Sequence, residues 1–249
     1  MRYGRFMATA DLSAPALTGI RRLSALDTVR ARIALAVELG LLKPAERLPA
    51  NADIARALGV AEITVRRALE SLVGDGLIER RRGRGGGTLV AADPPTQRVR
   101  EVGAYRESAA EVRDLIDHRL VLEAGLVQLV AKRSPDLPRL RTLVARMDTA
   151  TGWAEFHELD AEFHRTVAAP APAAAVAQYE TVLAELYRFY LPYPMAKLRE
   201  SNRDHARLVK ALAAGDPDAA ARVTRKHVRG LHQTMFVGLA AGDPATPEN

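Results

Sequence analysis

Residues 61–91 read AEITVRRALESLVGDGLIERRRGRGGGTLVA, and this stretch decides the fold of the first third of the chain. Val65, Leu69 and Leu72 recur at helical spacing, so its first half predicts an amphipathic helix that exposes two consecutive arginines. Its second half has strand character on both sides of a glycine-rich tip, which indicates a β-hairpin. We therefore expect a helix that leads into a basic hairpin.

Two further helices are predicted ahead of this stretch. The segment 26–39 has an apolar edge and is followed by Gly40, and the residues after Pro49 form a short helix that closes at Gly59. Helix, short helix, turn, helix and hairpin is the order of a winged helix-turn-helix. In that fold the third helix enters the DNA major groove, and basic side chains of the hairpin reach phosphates or the minor groove.

The composition excludes several classes of protein. The chain has 249 residues and no cysteine, which rules out disulfides, thiolate metal sites and cysteine nucleophiles. No apolar run approaches the roughly 20 residues that span a bilayer. The first residues, MRYGRFMATADLSAPALTG, lack the continuous apolar segment of a signal peptide. We therefore expect a cytoplasmic protein with no membrane partner.

The excess positive charge is concentrated in the first third of the chain. Residues 1–95 hold 15 Lys and Arg against 10 Asp and Glu, a net of +5, whereas the remainder holds 21 against 20. All six histidines lie after residue 117. A basic nucleic-acid-binding module joined to a neutral module with different chemistry explains both distributions.

The second part of the chain has only helical patterns and the loop lengths of a compact bundle. The candidate helices are 109–132, 136–149, 153–168, 172–190, 199–214 and 217–239, with a break at 191–197. At one boundary, Gly215 ends a helix, Asp216 can cap the next one and Pro217 suits its first turn. The predicted fold is mostly α, with an N-terminal winged helix-turn-helix and a C-terminal all-helical bundle of six or seven helices.

Paired prolines separate the two patterned regions and indicate a linker. The predicted organisation is a flexible N-terminal segment at 1–25, a winged helix-turn-helix at 26–92, a linker at 93–108, a helical effector-binding and dimerisation domain at 109–240, and a flexible tail at 241–249.

One helix of the second domain places polar groups on its apolar face. In EFHELDAEFHRTV, residues 155–167, Phe156, Leu159 and Phe163 form a buried stripe that Asp160 and His164 interrupt. A buried carboxylate and imidazole are costly unless other groups satisfy them.

Two later helices repeat this arrangement of polar groups among buried residues. His205 is in line with Leu208 and Val209, and His227 is in line with Val228. A divalent metal would satisfy all four groups together, because imidazole and carboxylate are ordinary metal ligands. Hydrogen bonds among the four groups would also satisfy them, and spacing alone leaves both interpretations open.

The first domain resembles the DNA-binding domain of GntR-family bacterial transcription regulators. The resemblance covers about residues 26–91 and lies in LKPAERLPANADIARALGVAEITVRRALESLVGDGLIERRRGRGGGTLV. It implies that Thr64 and Arg66 contact DNA from the recognition helix and that Arg82 approaches the minor groove. The neighbouring exposed arginines complete the predicted DNA-binding set, which is Thr64, Arg66, Arg67, Arg81, Arg82 and Arg84.

This chain departs from the family pattern at two helix starts. Where the family has Ser-Glu-Arg after the LP dipeptide, this chain has Ala50, Asn51 and Ala52. The third helix begins with Ala61 and Glu62 instead of a hydroxyl residue followed by arginine. Because glutamate cannot make the bidentate contact of arginine with guanine, the operator should differ from those of relatives.

Residues 109–236 resemble the FadR C-terminal (FCD) ligand-binding domain of the FadR subfamily. The resemblance lies in DLIDHRLVLEAGLVQLVAKR, LDAEFHRTV and DHARLVKALAAGDPDAAARVTRKHV. It implies that Asp160, His164, His205 and His227 hold one divalent metal ion per chain. Nitrogen and oxygen ligands without thiolate suit zinc, nickel, manganese or iron.

The expected effector is a small organic acid that displaces a metal-bound water. Arg119 and Glu123 are the predicted effector-binding residues, although their spacing also suits an intrahelical ion pair. His157, one turn before Asp160, is a candidate spare ligand, but it is interpreted as a partly exposed surface residue. The resulting prediction is a homodimeric regulator of transcription, not an enzyme, that binds double-stranded operator DNA. The alternatives are a metal-dependent enzyme that uses the same four residues and an architectural DNA-binding dimer without a ligand.

Overall fold

The computed structural model describes residues 23–83, 86–95, 99 and 101–239. Within these residues the helices are α1 Ala25–Glu38, α2 Asn51–Leu58, α3 Glu62–Gly74, α4 Glu101–Glu107, α5 Ala109–Val130, α6 Leu137–Thr149, α7 Trp153–Ala168, α8 Ala173–Tyr187, α9 Met195–Ala213, α10 Pro217–Thr234 and α11 Phe236–Leu239. The strands are β1 Ile78–Arg81 and β2 Gly87–Val90. Most of the chain is helical, as the sequence predicts.

The first domain is a winged helix-turn-helix. Strands β1 and β2 pair antiparallel from Ile78 opposite Val90 to Arg81 opposite Gly87, and Arg47 adds a single bridge to the second strand. Helix α3 packs against both α1 and α2, and Ile33, Ile54 and Leu69 are fully buried in this core. This core holds α3 beside the hairpin.

The starts of α1 and α3 differ in how their first amides are satisfied. The side chain of Ser24 accepts a hydrogen bond from the Asp27 amide, whereas Ala61 precedes α3 and has no side chain that can do so. The missing hydroxyl at Ala61 costs about 1 kcal/mol relative to a capped helix. Glu62 lies in the first turn of α3, where the helix dipole favours a negative charge.

The second domain is a bundle built around α5. This helix of 22 residues packs against α7, α8 and α10, and α6 and α9 complete the layer beside α7 and α10. Asp216 accepts hydrogen bonds from the amides of Asp218 and Ala219, and Pro217 occupies the first helical position, so the predicted start of α10 is confirmed.

Several predicted helix ends differ from the structure. Helix α8 ends at Tyr187, three residues earlier than expected. Helix α9 begins at Met195, four residues earlier than expected, because Pro194 is the N-cap of α9 and the break between the helices ends there. Met235 has an extended backbone and divides the predicted 217–239 helix into α10 and α11. Helix α4 lies within the stretch predicted as a linker. The predicted flexible segments fall outside the described residues, apart from residues 23–25.

Candidate metal site and DNA-facing surface

Asp160 and His164 are buried on α7, as their spacing predicts. Asp160 is 7 % exposed and His164 is 1 % exposed. The Tyr187 hydroxyl donates a hydrogen bond of 2.6 Å to Oδ2 of Asp160, while Oδ1 lies 3.5 Å from Nε2 of His205 and 3.8 Å from Nε2 of His164. A tyrosine therefore satisfies one carboxylate oxygen, and the other oxygen faces two imidazoles at distances longer than normal hydrogen bonds.

Three helices bring the predicted histidines together. His164 on α7, His205 on α9 and His227 on α10 each offer a ring nitrogen, and these three atoms lie within 4.8 Å of one another. A metal ion with bonds of about 2.0–2.2 Å holds its donor atoms about 3–4 Å apart. Nε2 of His205 is buried and has no hydrogen-bond partner among the described residues. The donor set therefore fits a divalent ion, with Oδ1 of Asp160 beside it.

The protonation states of this cluster are those of metal ligands. Burial lowers the pKa of His205 to about 4 and that of His227 well below the ordinary value, and the neighbouring imidazoles and Arg119 add to the effect. Burial raises the pKa of Asp160, but His164, His205, Tyr187 and Arg119 outweigh it and bring this pKa to about 2. His205 and His227 in their neutral forms, beside the ionised carboxylate of Asp160, are in the protonation states that bind a metal.

Arg119 and Glu123 form a buried pair behind the histidines. Nε of Arg119 donates a hydrogen bond of 2.7 Å to Oε2 of Glu123, which also accepts one of 3.0 Å from the Tyr179 hydroxyl. Oε1 of Glu123 lies 3.1 Å from Nδ1 of His164. Burial opposes ionisation of Glu123, but Arg119 and His164 outweigh it and hold the pKa of the carboxyl well below its usual range.

Arg119 and Glu123 were expected to bind the effector, but their burial gives them a different position. Arg119 and Glu123 are 0 % and 2 % exposed, and neither lines the adjacent cavity. The intrahelical ion pair is therefore present. Oε1 of Glu123 lies beside Nδ1 of His164 without a hydrogen bond to it, and Nη2 of Arg119 lies 3.0 Å from Nε2 of the same ring. Both charged groups therefore contact His164 directly and help to fix the orientation of its ring.

A cavity of about 390 Å³ opens beside the donor cluster, and Asp160 and His227 line it together with Tyr190. Its charged lining comprises Lys197, Arg203, Arg207 and Lys226 against Asp160, Glu200 and Asp204, a difference of one positive charge. Asp204 pairs with Arg207 and with Lys226. A divalent ion would add two charges, so the cavity is suited to a small anion.

His157 differs from the sequence prediction, because it is 5 % exposed rather than a surface residue. It lines the same cavity, and its ring lies edge-on against Trp153 and Tyr190, with centroids 6.0 and 5.5 Å apart. The ring of Tyr190, which lies beyond the end of α8, packs against His157, and the sequence of α7 alone does not contain this contact.

The predicted DNA-contacting arginines of the winged domain that the structure describes are all exposed. Arg66 and Arg67 on α3 are exposed, Arg82 at the tip side of β1 is exposed, and Thr64 is half-buried. Arg81 is also exposed and forms an ion pair of 2.6 Å with Glu79 on its own strand. Arg84 lies outside the described residues.

Arg47 is a further basic residue at the wing that the sequence prediction did not include. Its exposed guanidinium packs against Gly87, at the base of the hairpin. The arginine before the LP dipeptide is the signal that could have identified it.

The two domains contact each other next to the cavity. Helix α2 packs against α7, where Nε of Arg56 donates a hydrogen bond of 3.0 Å to Glu158. Arg32 of α1 is 2 % exposed, and its Nε donates a hydrogen bond of 2.6 Å to the carbonyl oxygen of Tyr190. The winged domain therefore contacts α7, the helix that carries Asp160. It also contacts Tyr190, one of the residues that line the cavity.

A winged helix-turn-helix joined to an all-helical bundle defines a class of DNA-binding proteins. Comparison with known sequences agrees with this class. Residues 25–89 match the family described as bacterial regulatory proteins, gntR family, and residues 114–230 match the FCD domain. The chain belongs to the GntR family.

Its relatives are regulators of transcription. It is 31 % identical over 234 residues to a protein of Mycobacterium gastri assigned as an HTH-type transcriptional regulator, RmpR, covering 89 % of this chain and 85 % of the relative. It is 27 % identical over 207 residues to the HTH-type transcriptional repressor NanR of Cronobacter sakazakii, covering 76 % of each. The protein is therefore a DNA-binding transcription regulator and not an enzyme, so the metal-dependent enzyme alternative is wrong.

Solved structures of the same family also match. Streptococcus agalactiae GntR is 24 % identical, with a TM-score of 0.42, and the match covers 85 % of this chain and all of the other. E. coli McbR/YncC is 21 % identical, with a TM-score of 0.43, and the match covers 83 % of this chain and 94 % of the other.

Among the described helices, none combines the length and the apolar character that a membrane-spanning helix needs.

Proposed function

We propose that a small organic acid controls the operator affinity of this regulator by binding at a divalent metal ion in the helical domain. Asp160, His164, His205 and His227 hold the ion, one per chain. The observation that carries the proposal is the convergence of three imidazole nitrogens within 4.8 Å, from the buried His164 and His205 and the half-buried His227, beside Asp160 at the wall of a cavity with a net positive lining. The metal supplies a positive centre that a carboxylate can coordinate.

The rest of the site is provided by the chain itself. Glu123 orients His164, and Arg119 holds Glu123 in place. Lys197 and Arg203 lie at the exposed side of the cavity and attract an anion. Lys197 and Arg203 bind and position the effector, whereas Arg119 and Glu123 act on it only through His164.

Elemental analysis tests the metal site directly. Tag-free protein as purified should contain one divalent metal per chain, and a double variant, Asp160→Ala with His164→Ala, should contain none. His118→Ala removes an exposed histidine and serves as the matched control that retains the metal. Metal-free protein even after reconstitution would favour the architectural alternative, in which the polar groups satisfy one another.

A second experiment tests the sensing role. Carboxylic acids that raise the melting temperature of the metal-loaded protein should also change its affinity for operator DNA, through a coupling free energy of about 1–3 kcal/mol. Stabilising acids that leave the DNA affinity unchanged would contradict effector control.

DNA contact is assigned to the exposed basic surface of α3 and the wing. Thr64, Arg66 and Arg67 lie on the helix expected in the major groove, and Arg81, Arg82 and Arg84 belong to the wing. The acidic residue at the start of α3, Glu62, repels phosphate and supports an operator different from those of relatives.

The protein is proposed to be a homodimer that pairs through α5. Val121 and Leu129 are 72 % and 48 % exposed, and the exposed Gly125 lies between them on the same face. In an antiparallel pairing centred near residue 123, Val121 faces Gly125 of the second copy, and Asp114 faces Lys132. This self-complementary face suits a twofold dimer, whose two winged domains read a palindromic operator.

A further inference from the structure

Ile63 is an exposed apolar residue that neither the protein core nor the proposed dimer face explains. In the described part of the chain, the large hydrophobic side chains that are exposed are Ile63, Val121 and Leu129, at 42 %, 72 % and 48 %. Val121 and Leu129 lie on α5, whereas Ile63 is the second residue of α3 in the winged domain. The free protein therefore presents an apolar side chain on the helix expected to enter the major groove.

The neighbours of Ile63 show which side of α3 it occupies. Residues three and four positions apart share one side of a helix, so Ile63 lies on the same side as Arg66 and Arg67, both of which are exposed. Val65, two positions after Ile63, is fully buried and faces the core. Ile63 is therefore one helical turn from Arg66, the residue proposed to read a base.

Helix stability does not explain an isoleucine at this position. A β-branched residue is a weaker helix former than alanine or leucine, and an exposed one gains little from burial. Its side chain is also stiff, because one χ1 rotamer is strongly preferred in a helix. Little conformational entropy is lost when such a side chain is held against a partner. Ile63 is therefore better suited to a contact than to solvent.

The apolar group that a side chain can meet on the base edges of the major groove is the methyl group of thymine. All base pairs present hydrogen-bond donors and acceptors there, but thymine adds a C5-methyl group. The N-terminal residues of a recognition helix contact base edges, and Ile63 lies in the first turn of α3. Because an isoleucine side chain neither donates nor accepts a hydrogen bond, thymine is the base that it recognises by a favourable contact.

We propose that Ile63 is a specificity-determining residue that contacts the C5-methyl group of a thymine in each operator half-site. This inference rests on the proposed docking of α3 in the major groove. The operator then requires a thymine close to the base that Arg66 reads, and the requirement comes from the methyl group of that thymine and not from its hydrogen-bonding groups.

The test removes this methyl group from the DNA and changes nothing else. Binding sites are first selected from a pool of random duplexes with the full-length protein. Each thymine of a selected half-site is then replaced in turn by uracil, which has the same hydrogen-bonding groups as thymine. In anisotropy titrations of the parent protein, uracil at one position should weaken binding about fourfold, the loss expected for one buried methyl group.

Variants of the protein remove the other side of the contact. Ile63→Ala should bind the thymine site less tightly than the parent does, and it should bind the thymine and uracil forms of the sensitive position equally. Ile63→Val keeps a shorter β-branched side chain and should retain part of the preference. Since Ile63 is exposed, both variants should melt close to the temperature of the parent. Glu70→Gln, at an exposed position two turns further along α3, is the matched control that keeps the full uracil penalty.

The outcomes distinguish this inference from the proposed docking. Equal binding of thymine and uracil by the parent at every position, or the same uracil penalty in Ile63→Ala, would overturn the role of Ile63. Arg66→Ala then reports on the docking: a relaxed base preference in this variant would leave α3 in the major groove, whereas no effect of either substitution on affinity or preference would overturn both proposals. A uracil penalty that is present in the parent and absent in Ile63→Ala supports both.

Discussion

Arg32 and Tyr190 join the two domains through a hydrogen bond of 2.6 Å between Nε of the arginine and the carbonyl oxygen of the tyrosine, 158 positions apart in the sequence. Arg32 belongs to the first helix of the winged domain and is almost fully buried. The hydroxyl of the same tyrosine accepts a hydrogen bond of 2.9 Å from Arg119. Tyr190 therefore contacts the DNA-reading domain with its backbone and the effector domain with its side chain.

Replacing Arg32 should weaken the communication between the domains. Arg32→Met keeps the length of the side chain but leaves the Tyr190 carbonyl oxygen without its donor, which costs about 1–3 kcal/mol of folding free energy. We expect a smaller effect of the effector on operator affinity, measured by fluorescence anisotropy with and without ligand. Lys43→Met, at an exposed position of the same domain, should change neither quantity. Full effector response in Arg32→Met would show that coupling runs elsewhere, for example through Arg56 and Glu158.

Removing the charge of Glu123 should weaken metal binding without removing a ligand. Glu123→Gln loses the carboxylate beside Nδ1 of His164, and changes of this kind reduce metal affinity about 10- to 100-fold. The variant also leaves Arg119 as a buried charge without its counterion, so folding stability should fall by about 3–5 kcal/mol. Competition with a chromophoric chelator measures the affinity. Glu200→Gln, an exposed carboxyl at the cavity, should bind metal like the parent.

Two arginines of the winged domain should differ in how they affect DNA binding. Arg66→Ala should cost about 1–3 kcal/mol of DNA-binding free energy and relax the base preference at one operator position, because Arg66 is proposed to read a base. Arg82→Ala should weaken binding to all sequences, because Arg82 is expected to approach the minor groove from the wing, and it should lower the salt dependence by about one unit, because one positive charge near the DNA backbone is lost. Anisotropy titrations at several salt concentrations separate the two effects. Arg146→Ala, on the exposed side of α6, is the control, and equal affinity of Arg66→Ala and the parent would contradict the assigned docking.

The stability of the metal-free protein should fall as the pH decreases from about 6.5 to about 4. The unfolded chain protonates its histidines near 6.5, whereas burial holds the pKa of His157 and His205 at about 4 in the folded protein. The unfolded state therefore binds more protons in this interval, and each group removes about 3 kcal/mol of stability across it.

Chemical denaturation of chelator-treated protein at several pH values measures the slope of stability against pH. His157→Gln should reduce the slope of unfolding free energy against pH by the contribution of one buried histidine. His118→Gln, at an exposed position, should not alter it. An unchanged slope in His157→Gln would mean that the ring of His157 is not buried in its neutral form.

The exposed face of α5 should control the oligomeric state. Val121→Asp places a charge in the apolar centre of the proposed interface, where it would be desolvated next to the second copy, so the variant should be monomeric in light scattering at micromolar concentration. Ile63→Asp changes an exposed apolar residue of α3, 42 % accessible, and should leave the dimer intact. A dimeric Val121→Asp variant would place the interface on another face.

Much of the fold follows from local patterns in the sequence. The limits of α7, 153–168, agree with the structure at both ends, because Phe156, Leu159 and Phe163 keep strict helical spacing and the flanking residues interrupt it. The start of α10 is equally legible, since an aspartate cap followed by proline is a local signal. The sequence prediction does not include helix α4 or the early start of α9, because these two segments show little apolar periodicity.

The candidate site is only partly a property of local sequence. Spacing alone showed that Asp160, His164 and His205 face a core, because burial of a helix face is periodic. The assignment of Arg119 to effector contact and of His157 to the surface depended on neighbours from other helices. The side chain of Tyr190 packs against His157. Glu123 pairs with Arg119, and neither residue belongs to the lining of the cavity.

The sequence by itself determined the two domains, the basic winged helix-turn-helix, the helical bundle and the inward direction of the four polar residues. Each of these depends on interactions between residues a few positions apart, such as helical periodicity, caps and turns. Only the tertiary structure decided which polar groups meet, how Glu123 and Arg119 are placed behind His164, and that Arg32 reaches Tyr190. Those contacts join residues 41 to 158 positions apart, and the packing of several helices at once sets their distances.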